Sequence, residues 1–332
     1  MGSNSAGRAV VPVLAAALVL SALVCLLLGR YPAPGLMPLR LLSEDPTARA
    51  VLFGSRLPRV IGALLAGAVL AGAGAAFQLV FANPLVEPGF LGVSSGAAFG
   101  AALAMVLGAP LGPAVSLPAF FFALLALTLS TTLARRFRYG GGVLRLVLAG
   151  IAVSALFSAA LAVVKYAADP LRVLPDIAYW TLGGLSGMTW STLAYFAPPA
   201  VLSLVLLIVA RGRMDILSLD EDVARSLGAR PRMERIAILA AASLGVAACV
   251  AALGVVSWAG LVVPHAARSW VGAKARASVP ASMAMGAVFL VLCDAVSRAA
   301  FPGELPLGAA VSALGALAFS RFLMKGKTRI VR

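Results

Sequence analysis

Residues able to do chemistry are few in this chain and stand at the ends of long apolar runs. Arg56 and Arg59 open one run as Arg-Leu-Pro-Arg, Gln78 sits near its far end, and Asn83-Pro84-Leu85 breaks it. Glu87-Pro88 precedes a second Gly/Ala-rich run, and later come His265 beside Pro264, an Asp294-x-x-x-Arg298 pair and Glu304. One histidine with no neighbouring cysteine or carboxylate does not make a zinc site, so a structural role beside Pro264 is expected for it. Cys25, Cys249 and Cys293 lie within apolar runs and form neither a CxxC nor a Cys/His cluster. No Ser/His/Asp set, HExxH or carboxylate pair falls within a run. Gly326-Lys327-Thr328 mimics the end of a P-loop, but Arg321 occupies the position where the first glycine of that loop is required. The expectation is a chain with no catalytic residue, metal site, cofactor or nucleotide site of its own.

The elements that must position these groups are membrane helices. The 332 residues are 61% hydrophobic and 12% charged, with a mean hydropathy of +1.01. Soluble domains are about a quarter charged. We read one all-α transmembrane domain over residues 1–332, with ten spans at 9–29, 57–80, 89–108, 111–134, 143–167, 190–210, 234–254, 255–271, 279–299 and 305–324, the first an uncleaved helix. The eighth is short and interrupted by Pro264. With both termini cytoplasmic, nineteen of the 27 Lys and Arg residues fall on that side, as the positive-inside rule requires. They include Arg8, Arg135, Arg136, Arg138, Arg145 and the basic tail from Lys325. The net charge of +15 is thus loop-borne topology and not a nucleic-acid footprint.

Arg56 and Arg59 then stand at the outer start of the second span and Arg298 at the outer end of the ninth. Such side chains either reach lipid headgroups or form bidentate pairs with carboxylates of an acidic partner. At the other end of the second span, Pro84 has no amide hydrogen and restricts Asn83 to extended backbone. Irregular backbone at membrane depth is tolerated only where it is buried in protein or lines a water-filled path. Gln78, Asn83, Pro84 and Leu85 are therefore candidates for a gate, with Leu85 as an apolar plug and Asn83 bonding the turn. The alternative is a static turn.

The longest polar stretch on the cytoplasmic side is 211–235. Ser218-Leu-Asp-Glu221 reads as a capping box, Asp220 to Asp222 complement the helix dipole, and Gly228 is a natural stop. A helix of about nine residues is expected, with Leu219, Val223 and Leu227 on one stripe. So short a helix needs a surface to pack on, either its own bundle or a groove on another protein.

Several ordered motifs carry a resemblance. Arg56-Leu-Pro-Arg59, Gln78, Asn83-Pro84-Leu85 with Glu87-Pro88, and Leu91-Gly-Val-Ser-Ser-Gly-Ala resemble the FecCD/BtuC-type permeases of ABC importers for ferric siderophores, haem and vitamin B12. Tyr179-Trp180-Thr-Leu-Gly183, the segment Gly254 to Arg268 with Pro264-His265, and Glu304-Leu-Pro306-Leu-Gly308 extend the likeness over most of 56–324. Two departures are local: Ala-Lys-Ala-Arg follows Gly272, and Gly315-Ala-Leu-Ala-Phe319 lacks a proline. The resemblance implies a type II importer bundle, paired as a homodimer in a bacterial inner membrane. It implies that Arg56, Arg59 and Arg298 receive glutamates of a periplasmic substrate-binding protein. It also implies that the 211–235 loop, through Leu219, Val223, Ala224, Leu227 and Gly228, touches a separate cytoplasmic ATPase, and that the 83–85 loop contributes to the cytoplasmic gate. The cargo that the resemblance implies is an iron chelate, haem or a corrinoid.

The alternatives are a secondary transporter, which would place ionisable groups at mid-membrane, and a membrane enzyme. Lys165, Asp169, Asp294 and Glu304 fall near span ends, which favours a passive permease driven by another subunit.

Overall fold

The computed structural model describes residues 3–138, 141–300 and 303–324. The basic tail from Lys325 and its P-loop-like residues lie outside the described residues, as does the side chain of Arg8. Ten helices follow the expected spans: α1 (Ser3–Leu27), α4 (Leu57–Val80), α5 (Val93–Val106), α6 (Pro113–Arg136), α7 (Gly142–Ala167), α9 (Trp190–Leu217), α11 (Pro231–Leu253), α12 (Ala259–Val271), α13 (Ala275–Ala300) and α14 (Leu307–Met324). Between them lie the short helices α2 (Leu41–Glu44), α3 (Pro46–Ala50), α8 (Val173–Thr181) and α10 (Glu221–Ser226). A π-helical turn at Val51–Arg56 leads into α4, and a 3₁₀ turn at Pro88–Leu91 leads into α5. This is an all-α membrane protein. Among the described residues, six helices are long and apolar enough to cross a bilayer unaided, and three more are apolar but shorter.

Helix α4 is the centre. The most apolar stretch of the segment ending in it is 78% buried, against 22% for α7, so α7 faces outward. The Gly/Ala composition explains the difference, because small residues let backbones touch. A Cβ on Gly67 would fall on the Gly286 carbonyl of α13, and one on Gly74 would fall on the Gly260 carbonyl of α12. Around this triplet Phe77, Phe196, Ile177, Leu207 and Met214 are fully buried.

The eighth span differs from expectation. A helix over 255–271 was expected; α12 begins only at Ala259, with Trp258 at φ 70. Gly254 abuts Trp180 and Gly183, and Gly308 abuts Leu182. The chain therefore leaves α11 at the end of the bundle shared with the start of α14. It continues as irregular backbone over 254–258 and turns helical only at Ala259. At 1.5 Å per residue the 13 residues of α12 span about 20 Å, short of the roughly 30 Å hydrocarbon core. Trp258 is held there by ring contact with Phe319 and by its packing on Gly315.

The end of the bundle where α4 begins is closed by a small layer. A two-residue ladder pairs Leu28↔Leu36 and Gly29↔Gly35, and Met37, Ala48 and Leu52 form a separate buried cluster beneath α2 and α3. The Tyr31 hydroxyl donates to Asp45, which also caps α3 by accepting from the Thr47 amide at 2.8 Å. Those bonds hold the Asp45 carboxyl below its ordinary range.

Candidate functional site

The gate candidates surround the end of α4. The helix stops at Val80 and Phe81, with Ala82 in the left-handed region at φ 47. Its amide donates to Leu79 O, and that of Asn83 donates to Gln78 O at 3.0 Å. This is the six-to-one closure usually built on glycine, so the stop comes before Pro84 acts. The Asn83 carboxamide accepts from the Leu85 amide at 2.9 Å, which is the expected turn bond. Leu85 itself is 60% exposed, an apolar side chain presented away from its own bundle.

Gln78 is buried, and its amide nitrogen donates to the carbonyls of Gly260 and Leu261, both at 3.2 Å. Its oxygen accepts from Arg268 at 2.6 Å. From the loop, the Glu87 carboxylate accepts from the Trp258 amide at 2.9 Å, and Pro88 packs on Gly260. The break before α12 and the break after α4 are thus one structure. Backbone groups freed at membrane depth must find protein partners, and Glu87 and Gln78 supply them. Glu87, Trp258 and Arg268 were not among the site candidates. Glu87 and Arg268 belonged to recognisable motifs, but their partners lie 171 and 190 residues away, and no local pattern marks a tryptophan at positive φ.

The three arginines expected at the outer face are buried within the protein. Arg56, Arg59 and Arg298 are 5%, 8% and 9% exposed. Arg59 meets Asp294 at 2.9 Å and both oxygens of Glu304 at 2.9 Å. Arg298 meets the other Asp294 oxygen at 3.0 Å and donates to the carbonyls of Leu28 and Cys25. Arg56 donates to those of Leu27 and Tyr31 at 2.9 and 3.1 Å. Sequence reasoning offered headgroup contact or an external carboxylate. The structure adds a third role, the joining of α1, α4, α13 and the start of α14. Arg30, Arg40, Arg49 and Arg172 remain exposed on this end.

In the 211–235 loop, the capping box is overturned. Helix α9 continues to Leu217, so Ser218 ends that helix and its hydroxyl donates to Asp215 O at 2.8 Å. Helix α10 starts at Glu221 with Asp220 as N-cap and no side-chain bond there, and it has six residues instead of nine. The stripe survives: Leu219, Val223 and Leu227 are 44%, 47% and 56% exposed above a buried Ala224. Gly228 has φ 77, as its stop position requires. Beside α10 a cavity of about 410 Å³ is lined by Arg135, Arg145, Arg225, Arg232 and Arg235 with Glu221.

A polytopic helical bundle with two coupled helix breaks and an amphipathic loop helix defines the class of membrane permease. The FecCD transport family model matches residues 17–325, and the chain belongs to that family. It is 35% identical over 318 residues to the molybdate import system permease protein MolB of Haemophilus influenzae, covering 93% of this chain and 94% of that one. It is 38% identical over 275 residues to the vitamin B12 import system permease protein BtuC of Vibrio cholerae, covering 81% of each. A metal-chelate type ABC transporter solved in an inward-facing conformation superimposes with a TM-score of 0.87 at 33% identity, covering 94% of this chain and 97% of that one. The chain is accordingly a multi-pass transport subunit of an ABC system.

Proposed function

We propose that the chain is the permease of an ATP-driven importer for an iron chelate, haem or a corrinoid. It works as a homodimer in a bacterial inner membrane with both termini cytoplasmic, and its 1–332 form a single transmembrane domain. The observation that carries the reading is the exposed Leu219/Val223/Leu227 stripe beside buried Ala224, a surface suited to a groove on an ATPase. ATP binding there displaces the 211–235 loop, and the joined breaks at 83–92 and 254–260 change access. Leu85, exposed at the end of α4, meets its counterpart across the dimer as the gate. A periplasmic binding protein delivers cargo to the opposite end. Arg56, Arg59 and Arg298 shape that docking surface, and exposed Arg40 and Arg49 add charge for an acidic partner.

The test is uptake in proteoliposomes with the cognate ATPase and binding protein, using labelled ferric siderophore, haem and cobalamin. Import of one of these that requires ATP and survives collapse of the proton gradient supports the reading. Gradient-driven uptake without ATP sinks it in favour of a secondary transporter. A cysteine at Leu85, in a background lacking Cys25, Cys249 and Cys293, should cross-link across the dimer in one nucleotide state only.

A further inference from the structure

One groove serves neither the gate nor the coupling stripe. It is a cavity of about 570 Å³ between α1, the end of α9 and the start of α13, within the range of about 300–1,000 Å³ typical of ligand pockets. Leu14, Ala15 and Leu18 of α1 and Ala284 of α13 give it apolar walls. Arg211 of α9 and Arg276 of α13 stand at the end where α13 begins. They are neighbours, since Arg276 lies over Gly212.

Among the described residues neither guanidinium has a hydrogen bond or ion pair. The nearby acids are engaged elsewhere: Asp215 accepts from the Ala275 amide at 2.6 Å, and Glu234 faces Arg213 at 3.8 Å. Arginines of membrane helices ordinarily pair or reach the interface. Val11 at the groove and Leu20 and Leu23 further along α1 are exposed apolar side chains, so this face of α1 suits hydrocarbon. An apolar trough ending in two unpaired guanidiniums matches an amphiphile with a phosphate head, because arginine binds phosphate in bidentate fashion and basic pockets between membrane helices take anionic headgroups.

We propose that this groove holds one anionic phospholipid per chain. Its acyl chain lies along α1 and α13 and its phosphate on Arg211 and Arg276. The lipid thereby ties α1 to α13 and to α9, the helix that leads into the 211–235 loop.

The test is native mass spectrometry of the full-length permease, titrated with phosphatidylglycerol or phosphatidylcholine of the same chain length. One retained lipid per chain, with phosphatidylglycerol preferred, is the expected result. Arg211→Gln with Arg276→Gln should weaken phosphatidylglycerol by about thirtyfold, at about 1 kcal/mol per arginine, and phosphatidylcholine, whose phosphate stands beside its own choline cation, by less. Arg276 is exposed, so Arg276→Gln alone carries the test if the double variant is not recovered, with a loss of about fivefold. Ala15→Phe should fill the trough and weaken both lipids. Equal retention of the two lipids, or unchanged binding in the arginine variants, overturns the proposal. Displacement by millimolar inorganic phosphate would make the site one for a free anion, and a changed oligomeric state in Ala15→Phe with lipid binding intact would give the groove to a second copy; either result also overturns it.

Discussion

At the start of α4, Arg59 is locked between Asp294 and Glu304; beyond its far end, Leu85 and the Leu219/Val223/Leu227 stripe stand exposed. The first region gathers three arginines and two acids, with all but Glu304 nearly sealed from solvent. The second also joins distant segments, through Gln78 with Arg268 and Glu87 with Trp258, but it leaves Leu85, Leu219, Val223 and Leu227 outside. Charge placed in a low-dielectric interior is costly unless fully paired, so it suits a part of the molecule that must not rearrange. Unsatisfied apolar surface suits a part that is completed by another subunit.

The sharpest way to break this comparison is at Asp294, which is 1% exposed and serves two arginines. Asp294→Asn should destabilise the protein by about 3–5 kcal/mol, because it leaves buried cations uncompensated. Thermal unfolding in detergent would show it, and a change under about 1 kcal/mol would mean that water reaches the cluster. Next is Gln78→Leu, which deprives half-buried Arg268 of its acceptor and two carbonyls of their donor. A loss of about 1.5–3 kcal/mol is expected, with uptake falling more than yield. Equal loss of both would make Gln78 a structural bond only.

Val223→Asp probes the opposite region. Co-purification of the ATPase should weaken about tenfold, or roughly 1.4 kcal/mol, while the melting temperature of the permease alone stays put. A drop in that temperature would show that the stripe packs on its own bundle.

Two smaller effects refine the contrast. Ala82→Gly removes a left-handed alanine at φ 47 and should stabilise the turn by at most about 1 kcal/mol, measurable as slower amide exchange at Asn83. At the arginine end, the depressed Asp45 carboxyl contributes stability that is present at neutral pH and is lost as pH falls through its folded-state value. Tyr31→Phe removes the largest cause of that depression. Hydrogen exchange across 45–52 should then rise at a higher pH than in the parent protein; an unchanged profile would assign the effect to the Thr47 amide.

The spans were legible because apolar length and Gly/Ala content report directly on a bilayer. Gly228 was legible too, since few residues tolerate φ 77. The capping box at Ser218 misled because a local motif does not reveal that the preceding helix runs to Leu217. The start of α12 was hidden by the distance between Glu87 and Trp258. The arginines were found by position, but their burial depended on Asp294 and Glu304, 235 and 245 residues from Arg59. Types and spacing located these groups at a membrane end; only the fold could say that they face one another.

The glycine contacts of α4 have a mechanical consequence. Its backbone touches α13 at Gly67 and Gly286 and α12 at Gly74 and Gly260, with no side-chain layer to cushion sliding. A one-turn ratchet of about 5.4 Å would bring the bulkier Leu70, or Phe77 and Gln78, toward places where not even a methyl group fits. No shear plane can therefore run through these three helices. Such packing favours movement of the three helices as one plate, with hinges at its margins in the loops 83–92 and 254–258.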